Sequence, residues 1–171
     1  DAQLSRGLGD VYKRQEVVEG DKVRIFVTNR LPEHTSIHWH GQRLPNGMDG
    51  VAGLNQPAIP AGKTYLYEFE AKRPGTFMYH PHADEMTQMA MGMMGFWVTH
   101  PRQKHPWIEE VDRDYCFLLN AYDIEPGTAV PKINTMLDFN LWTWNSRLFP
   151  GIDPLVAVSY THLTLPTIGC V

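Results

Sequence analysis

Two short stretches of this chain bring together residues able to do metal chemistry: His38-Trp39-His40-Gly41 and His80-Pro81-His82. Each sets two imidazoles two positions apart. In an extended strand, residues i and i+2 lie on one face, so each motif aims both rings at the same place. Neutral imidazole is a ligand for copper, zinc, iron and nickel. A single His-x-His in a strand is more often structural or incidental. Two pairs, each in strand-like sequence, are expected to form two halves of one polynuclear metal site.

The surrounding sequence supplies the strands that would hold those pairs. Residues 22–28 alternate polar and apolar after a Glu-Gly-Asp turn, the pattern of a half-buried strand. Residues 29–35, interrupted by Pro32, read as a loop, and residues 36–41 as a strand carrying the first pair. Residues 42–62 are rich in Gly, Pro and Asn and form a long irregular connection of the kind that often carries function. Alternation returns over 63–70, and Pro74-Gly75 turns the chain into a strand ending at the second pair. Residues 84–94 are methionine-rich, a helical turn or a loop, and strands are expected at 95–99 and 115–119. Short strands, frequent turns and little helical periodicity imply an all-β antiparallel sandwich or barrel.

The two ends read differently. Residues 10–15 back-translate to DNA whose reverse complement, in one frame, encodes residues 158–163. That DNA resembles the transposase end sequence used to prepare sequencing libraries, and the flanking residues 5–9 and 164–167 match its extensions. Residues 1–15 and 157–171 are therefore expected to be adapter-derived and are set aside from fold reasoning. The remainder is expected to be a gene fragment truncated at both ends. It divides into a first domain over 16–124 and a linker with the start of a second domain over 125–156, where Pro126-Gly127 and Pro131 mark the change.

The whole chain has 15 Lys and Arg against 19 Asp and Glu, a net charge of −4; without the end segments it is one unit more negative. No basic stripe for nucleic acid is present, and no apolar run is long enough to span a membrane. With Cys170 set aside, Cys116 alone remains, which does not indicate a disulfide framework.

The motifs also carry a resemblance. Ile37-His38-Trp39-His40-Gly41 resembles the first copper motif of the multicopper oxidases, the laccase-like family, and the segment from Gly75 to His82 is similar to the second. Residues 56–69, with Gln56, Ile59 and Gly62, resemble the stretch between them. The likeness covers most of residues 16–101, and residues 139–154 resemble the opening of a further cupredoxin domain. It implies a cupredoxin-like Greek-key fold, with copper as cofactor. His38 would ligate a type 2 copper, and His40, His80 and His82 a type 3 pair, at which dioxygen is reduced by four electrons to water. Asp49 would be the carboxylate beside the cluster, able to orient ligands or water and help deliver protons.

The family's His-Cys-His segment and its remaining cluster histidines are not in this sequence, so the type 1 site is absent from the fragment. The fragment is expected to bind copper poorly and not to turn over, and to need further C-terminal cupredoxin domains to complete the site. In the parent, the reducing substrate would be a phenol, an aromatic amine or a metal ion, and the compartment periplasmic or secreted.

Other residues have blander readings. Trp39 alternates away from the ligand face and should pack; Asp49 could be only a turn residue in an Asp-Gly pair. His34, His100 and His105 stand beside prolines or in loop-like sequence and are not expected to bind metal. Met86, Met89, Met91, Met93 and Met94 read first as adaptable core filler, with a Cu(I)-handling role as the lesser alternative. Cys116, in an apolar stretch, should be buried and inert. The rival functions are a copper-binding or structural cupredoxin protein without oxidase activity and, more weakly, a copper nitrite reductase. The latter would keep a blue-copper cysteine in the first domain after the second motif, and no cysteine occurs between His80 and Val111.

Overall fold

The computed structural model describes residues 14–103, 106, 114–133 and 138–152. Its elements are β1 (Arg14–Val18), β2 (Lys22–Thr28), β3 (Ile37–His40), β4 (Thr64–Glu70), β5 (Gly75–Pro81), α1 (Glu85–Ala90), β6 (Gly95–His100), β7 (Leu119–Tyr122) and β8 (Leu141–Trp144). Two compact units result, one of residues 13–114 and the other beginning at Tyr115.

In the first unit, β1, β6, β5 and β3 form one sheet in that order, and β2 and β4 pair as a second. The facing sides of the two sheets enclose one core. Val23, Tyr67 and Phe69 come from the two-stranded sheet and Ile37, Trp39, Phe77 and Trp97 from the four-stranded one, all buried. Trp39 lies at the centre, its ring 5.3–5.7 Å from those of Tyr67, Phe69, Tyr79 and Trp97. Tilted and edge-on contacts of this kind suit the aromatic quadrupole. Tyr67, fully buried, also bridges the sheets: its hydroxyl accepts the Ile37 N–H at 2.9 Å, one residue before His38.

The expected all-β sandwich and its first five strands are present, each within a residue or two of the alternation that announced it. Three features differ. The sheet is not wholly antiparallel, because β1 pairs parallel with β6. β1 also includes Arg14 and Gln15, placed by the sequence in the adapter-derived segment; ladder bonds use backbone groups that any residue carries. The strand expected at 115–119 forms instead at Leu119–Tyr122, where it pairs with β8. Leu118 N–H is drawn to the Asn145 side chain at 2.8 Å, so the ladder starts one residue later. Cys116 consequently precedes the strand and is half-buried, not buried. Residues 1–13 and 153–171, which hold nearly all of the end segments, lie outside the described residues.

Candidate metal centre

The register of β3 and β5 builds the site. His38 pairs with His80 and Trp39 with Tyr79 across the ladder. Since alternate residues point to opposite faces, one face of this strand pair receives aromatic core residues and the other receives imidazoles. His38, His40 and His80 each bring a ring nitrogen to a common point, all three within 4.8 Å of one another. His82, just past the end of β5, closes the group with its ring centre 5.4 Å from that of His38 and 6.0 Å from that of His80. Among the described residues no other His, Cys, Asp and Glu side chains group in this way. Three of the four histidines singled out by the sequence therefore converge on one point, and the ring of the fourth, His82, lies beside them.

Local hydrogen bonds settle which nitrogens face inward. His38 Nδ1 donates to the Asp49 backbone carbonyl at 2.6 Å, and His80 Nδ1 donates to the Pro81 carbonyl at 2.9 Å. A proton held on Nδ1 leaves the Nε2 lone pair of each ring for a metal. His40 presents Nδ1 to His80 Nε2 at 3.2 Å. Burial pulls the His80 pKa below its ordinary value; the Pro81 carbonyl and the Glu85 carboxylate oppose this, and His38 and His40 reinforce it. The shift favours the neutral imidazole, the form that binds a metal. His80 is buried, His38 half-buried and His40 exposed, so the cluster opens on the His40 side.

Asp49 is brought to His38 as well, through its backbone more closely than through its side chain, whose Oδ1 is 3.5 Å from Nδ1. The Asn55 side chain donates to Asp49 Oδ2 at 3.3 Å. The approach depends on Gly50. At φ 87° a Cβ there would stand 1.8 Å from the Ile37 carbonyl oxygen, so only glycine lets this loop press against β3. The sequence read the Asp-Gly pair as a turn or a carboxylate site; in the structure the loop lies against β3 with the carboxylate 3.5 Å from the His38 ring.

The remaining sequence candidates separate. Trp39 is core, as expected. His100 pairs with Glu16 at 2.7 Å, away from the cluster, His34 joins no such group, and His105 lies outside the described residues. The methionines divide: Met94 is buried and Met93 packs against the core, whereas Met86 and Met91 are exposed. Sequence reasoning missed Tyr67, Gly50, Gln88 and Glu85. Of these Glu85 left a local trace, since it stands three residues after His82 in a segment able to turn helically.

A donor set of imidazoles, with the outer N–H groups of His38 and His80 held by carbonyls, fits a copper ion. An all-β sandwich bearing such a cluster on one sheet belongs to the cupredoxin class of copper-protein domains, and the comparisons agree. The structure superposes on the blue copper oxidase from Nitrosomonas europaea with a TM-score of 0.74 at 31% identity, over 86% of this chain and 48% of that one. The chain is 38% identical over 122 residues to copper resistance protein A of Escherichia coli, covering 71% of this chain and 20% of that protein. It is 39% identical over 105 residues to a laccase of Trametes hirsuta, covering 56% of this chain and 20% of that one. The sequence profile of the multicopper oxidases matches residues 13–104, more than half of the chain. The chain belongs to the multicopper oxidase family, and copper is the cofactor of that family. It spans about a fifth of the length of these curated relatives. Among the described residues no helix is long and apolar enough to cross a membrane.

Proposed function

We propose that His38, His40, His80 and His82 are copper ligands and form half of a trinuclear site in a multicopper oxidase. That enzyme couples one-electron oxidation of a phenol, an aromatic amine or a metal ion to the four-electron reduction of dioxygen to water. The observation that carries the reading is the convergence of three imidazoles from two paired strands on one point, with the His82 ring beside them and one side open. Bound copper would supply the one-electron steps. The chain's part is to hold Nε2 of His38 and His80 and Nδ1 of His40 inward, to keep His80 neutral by burial, and to place the Asp49 carboxylate beside His38 for proton delivery. His38, on the Asp49 side, takes the type 2 role; His40, His80 and His82 take the type 3 role. A further cupredoxin domain supplies the other ligands against the His40 side, together with the electron-entry site. The domain arrangement of this reading is a first cupredoxin domain over residues 16–124 and the start of a second over 125–156. An oxidising compartment, the periplasm or the cell exterior, suits it.

X-ray absorption of the copper-loaded chain tests the ligand assignment. The expected result is a first shell of nitrogen at about 2.0 Å, with copper content falling in each single His→Ala variant. Sulfur in the first shell, or copper retained by the variant lacking all four imidazoles, overturns the assignment. In the full parent enzyme, the same four substitutions should each abolish dioxygen uptake driven by a one-electron donor.

A further inference from the structure

The cluster has a second carboxylate, beside His80 and His82. After His82 the chain doubles back through Asp84, whose φ of 46° puts it in the left-handed region. Asp tolerates that region better than most residues, and here the Asp84 side chain accepts the Thr87 hydroxyl proton at 2.9 Å. The turn feeds α1, and α1 is pinned. Gln88, 3% exposed, accepts the Thr35 hydroxyl at 2.6 Å through Oε1 and donates through Nε2 to the His34 carbonyl at 3.0 Å and to Glu33 at 3.3 Å. Glu85, one helical turn before this anchor, is thereby brought under the β5 motif. Its Oε1 lies 3.5 Å from His80 Nδ1 and its Oε2 3.7 Å from His82 Nε2. One carboxylate thus faces two cluster imidazoles.

We propose that Glu85 is a positioning residue for the metal site: it orients the His80 and His82 rings and supplies negative charge against the cation they bind. The inference rests on the reading of the four histidines as copper ligands. The distances are longer than hydrogen bonds, so the interaction is chiefly one of charge, acting on rings made more positive when they bind metal. Carboxylates behind ligating imidazoles fix ring orientation and raise ligand basicity, and losing them commonly lowers metal affinity 10–100-fold. A charge effect also discriminates between oxidation states. Cu(II) carries one more positive charge than Cu(I), so removing the carboxylate weakens Cu(II) more. The strained turn at Asp84 and the buried amide of Gln88 gain a purpose on this view: together they fix where the carboxylate sits.

The test uses the 171-residue chain and titrates Cu(II) and Cu(I) against competing chelators in the wild type, Glu85→Gln, Glu85→Asp and His80→Ala, with the thermal midpoint of each. The expected result is a loss of about tenfold or more in Cu(II) affinity for Glu85→Gln, a smaller loss for Cu(I), partial recovery in Glu85→Asp, and unchanged midpoints. Every tenfold difference between the two losses is a rise of about 59 mV in the copper potential. Equal affinities for Glu85→Gln and wild type, with binding lost in His80→Ala, overturn the role of Glu85 and leave the ligand assignment standing. Equal losses for both ions together with a lowered midpoint make Glu85 merely structural, which also overturns the proposal. Copper binding unchanged in His80→Ala overturns the ligand assignment and the inference with it.

Discussion

β3 and β5 carry one ladder and two chemistries. On the inner face Trp39 and Tyr79 stand opposite each other, and Trp39 is enclosed by aromatic rings. On the outer face His38 and His80 stand opposite each other one step along the same ladder, their lone pairs turned toward one another and toward His40. The inner face is stabilised by removing apolar surface from water. The outer face spends little on stability: it crowds basic nitrogens together and leaves them for a ligand. The two are separated by a single residue of register, so the packing that holds Trp39 also fixes the direction of His38 and His40.

The widest break in this comparison comes from the core. Trp39→Ala should cost about 3–5 kcal/mol, the usual range for truncating a large buried aromatic, measured by denaturant unfolding. Because the same strand carries both ligands, copper affinity should fall with it; full affinity at wild-type stability in this variant would show that the two faces are independent. Next in size is Tyr67→Phe, which removes the acceptor of the Ile37 N–H. A buried donor left without a partner costs about 1–3 kcal/mol. Gly50→Ala follows. Its positive φ and the 1.8 Å approach to Ile37 should destabilise by more than about 1 kcal/mol and pull the Asp49 carbonyl off His38. Altered chemical shifts of the His38 ring in the variant would report that displacement.

Much of this division is legible in the sequence, for a physical reason. Strand alternation is a local property, so residues 22–28, 36–41 and 63–70 announced their strands, and the spacing of His38 and His40 announced a shared face. The sequence could not say which strands pair. The parallel β1–β6 pairing and the His38–His80 register depend on contacts far apart in the chain. Long-range closeness hid Gly50 too: it reads as a turn glycine until Ile37 is seen against it. Glu85 and Gln88 were hidden because a six-residue helix gives little periodicity, and the partners of Gln88 lie more than 50 residues away. The strand misplaced at 115–119 shows the same limit, since its start depends on Asn145.

The finest division is between imidazoles inside and outside the cluster. His100 is half-buried and pairs at 2.7 Å with Glu16, which also meets Arg14 at 2.6 Å. Partial burial raises the Glu16 pKa, but the hydrogen bonds and charges of His100 and Arg14 outweigh it, and the net shift is downward. A carboxyl with a lowered pKa adds stability that is present above its ordinary value of 4.5 and disappears as pH falls through the lowered folded-state value. Both side chains are more than two-fifths exposed, so solvent screening holds the contribution to about 0.5 kcal/mol or less. Glu16→Gln should therefore shift unfolding by no more than that near neutral pH. The difference from wild type should shrink below about pH 4, and copper binding should not change. A large effect of Glu16→Gln on copper would place His100 within reach of the metal and dissolve the boundary between the two groups of histidines.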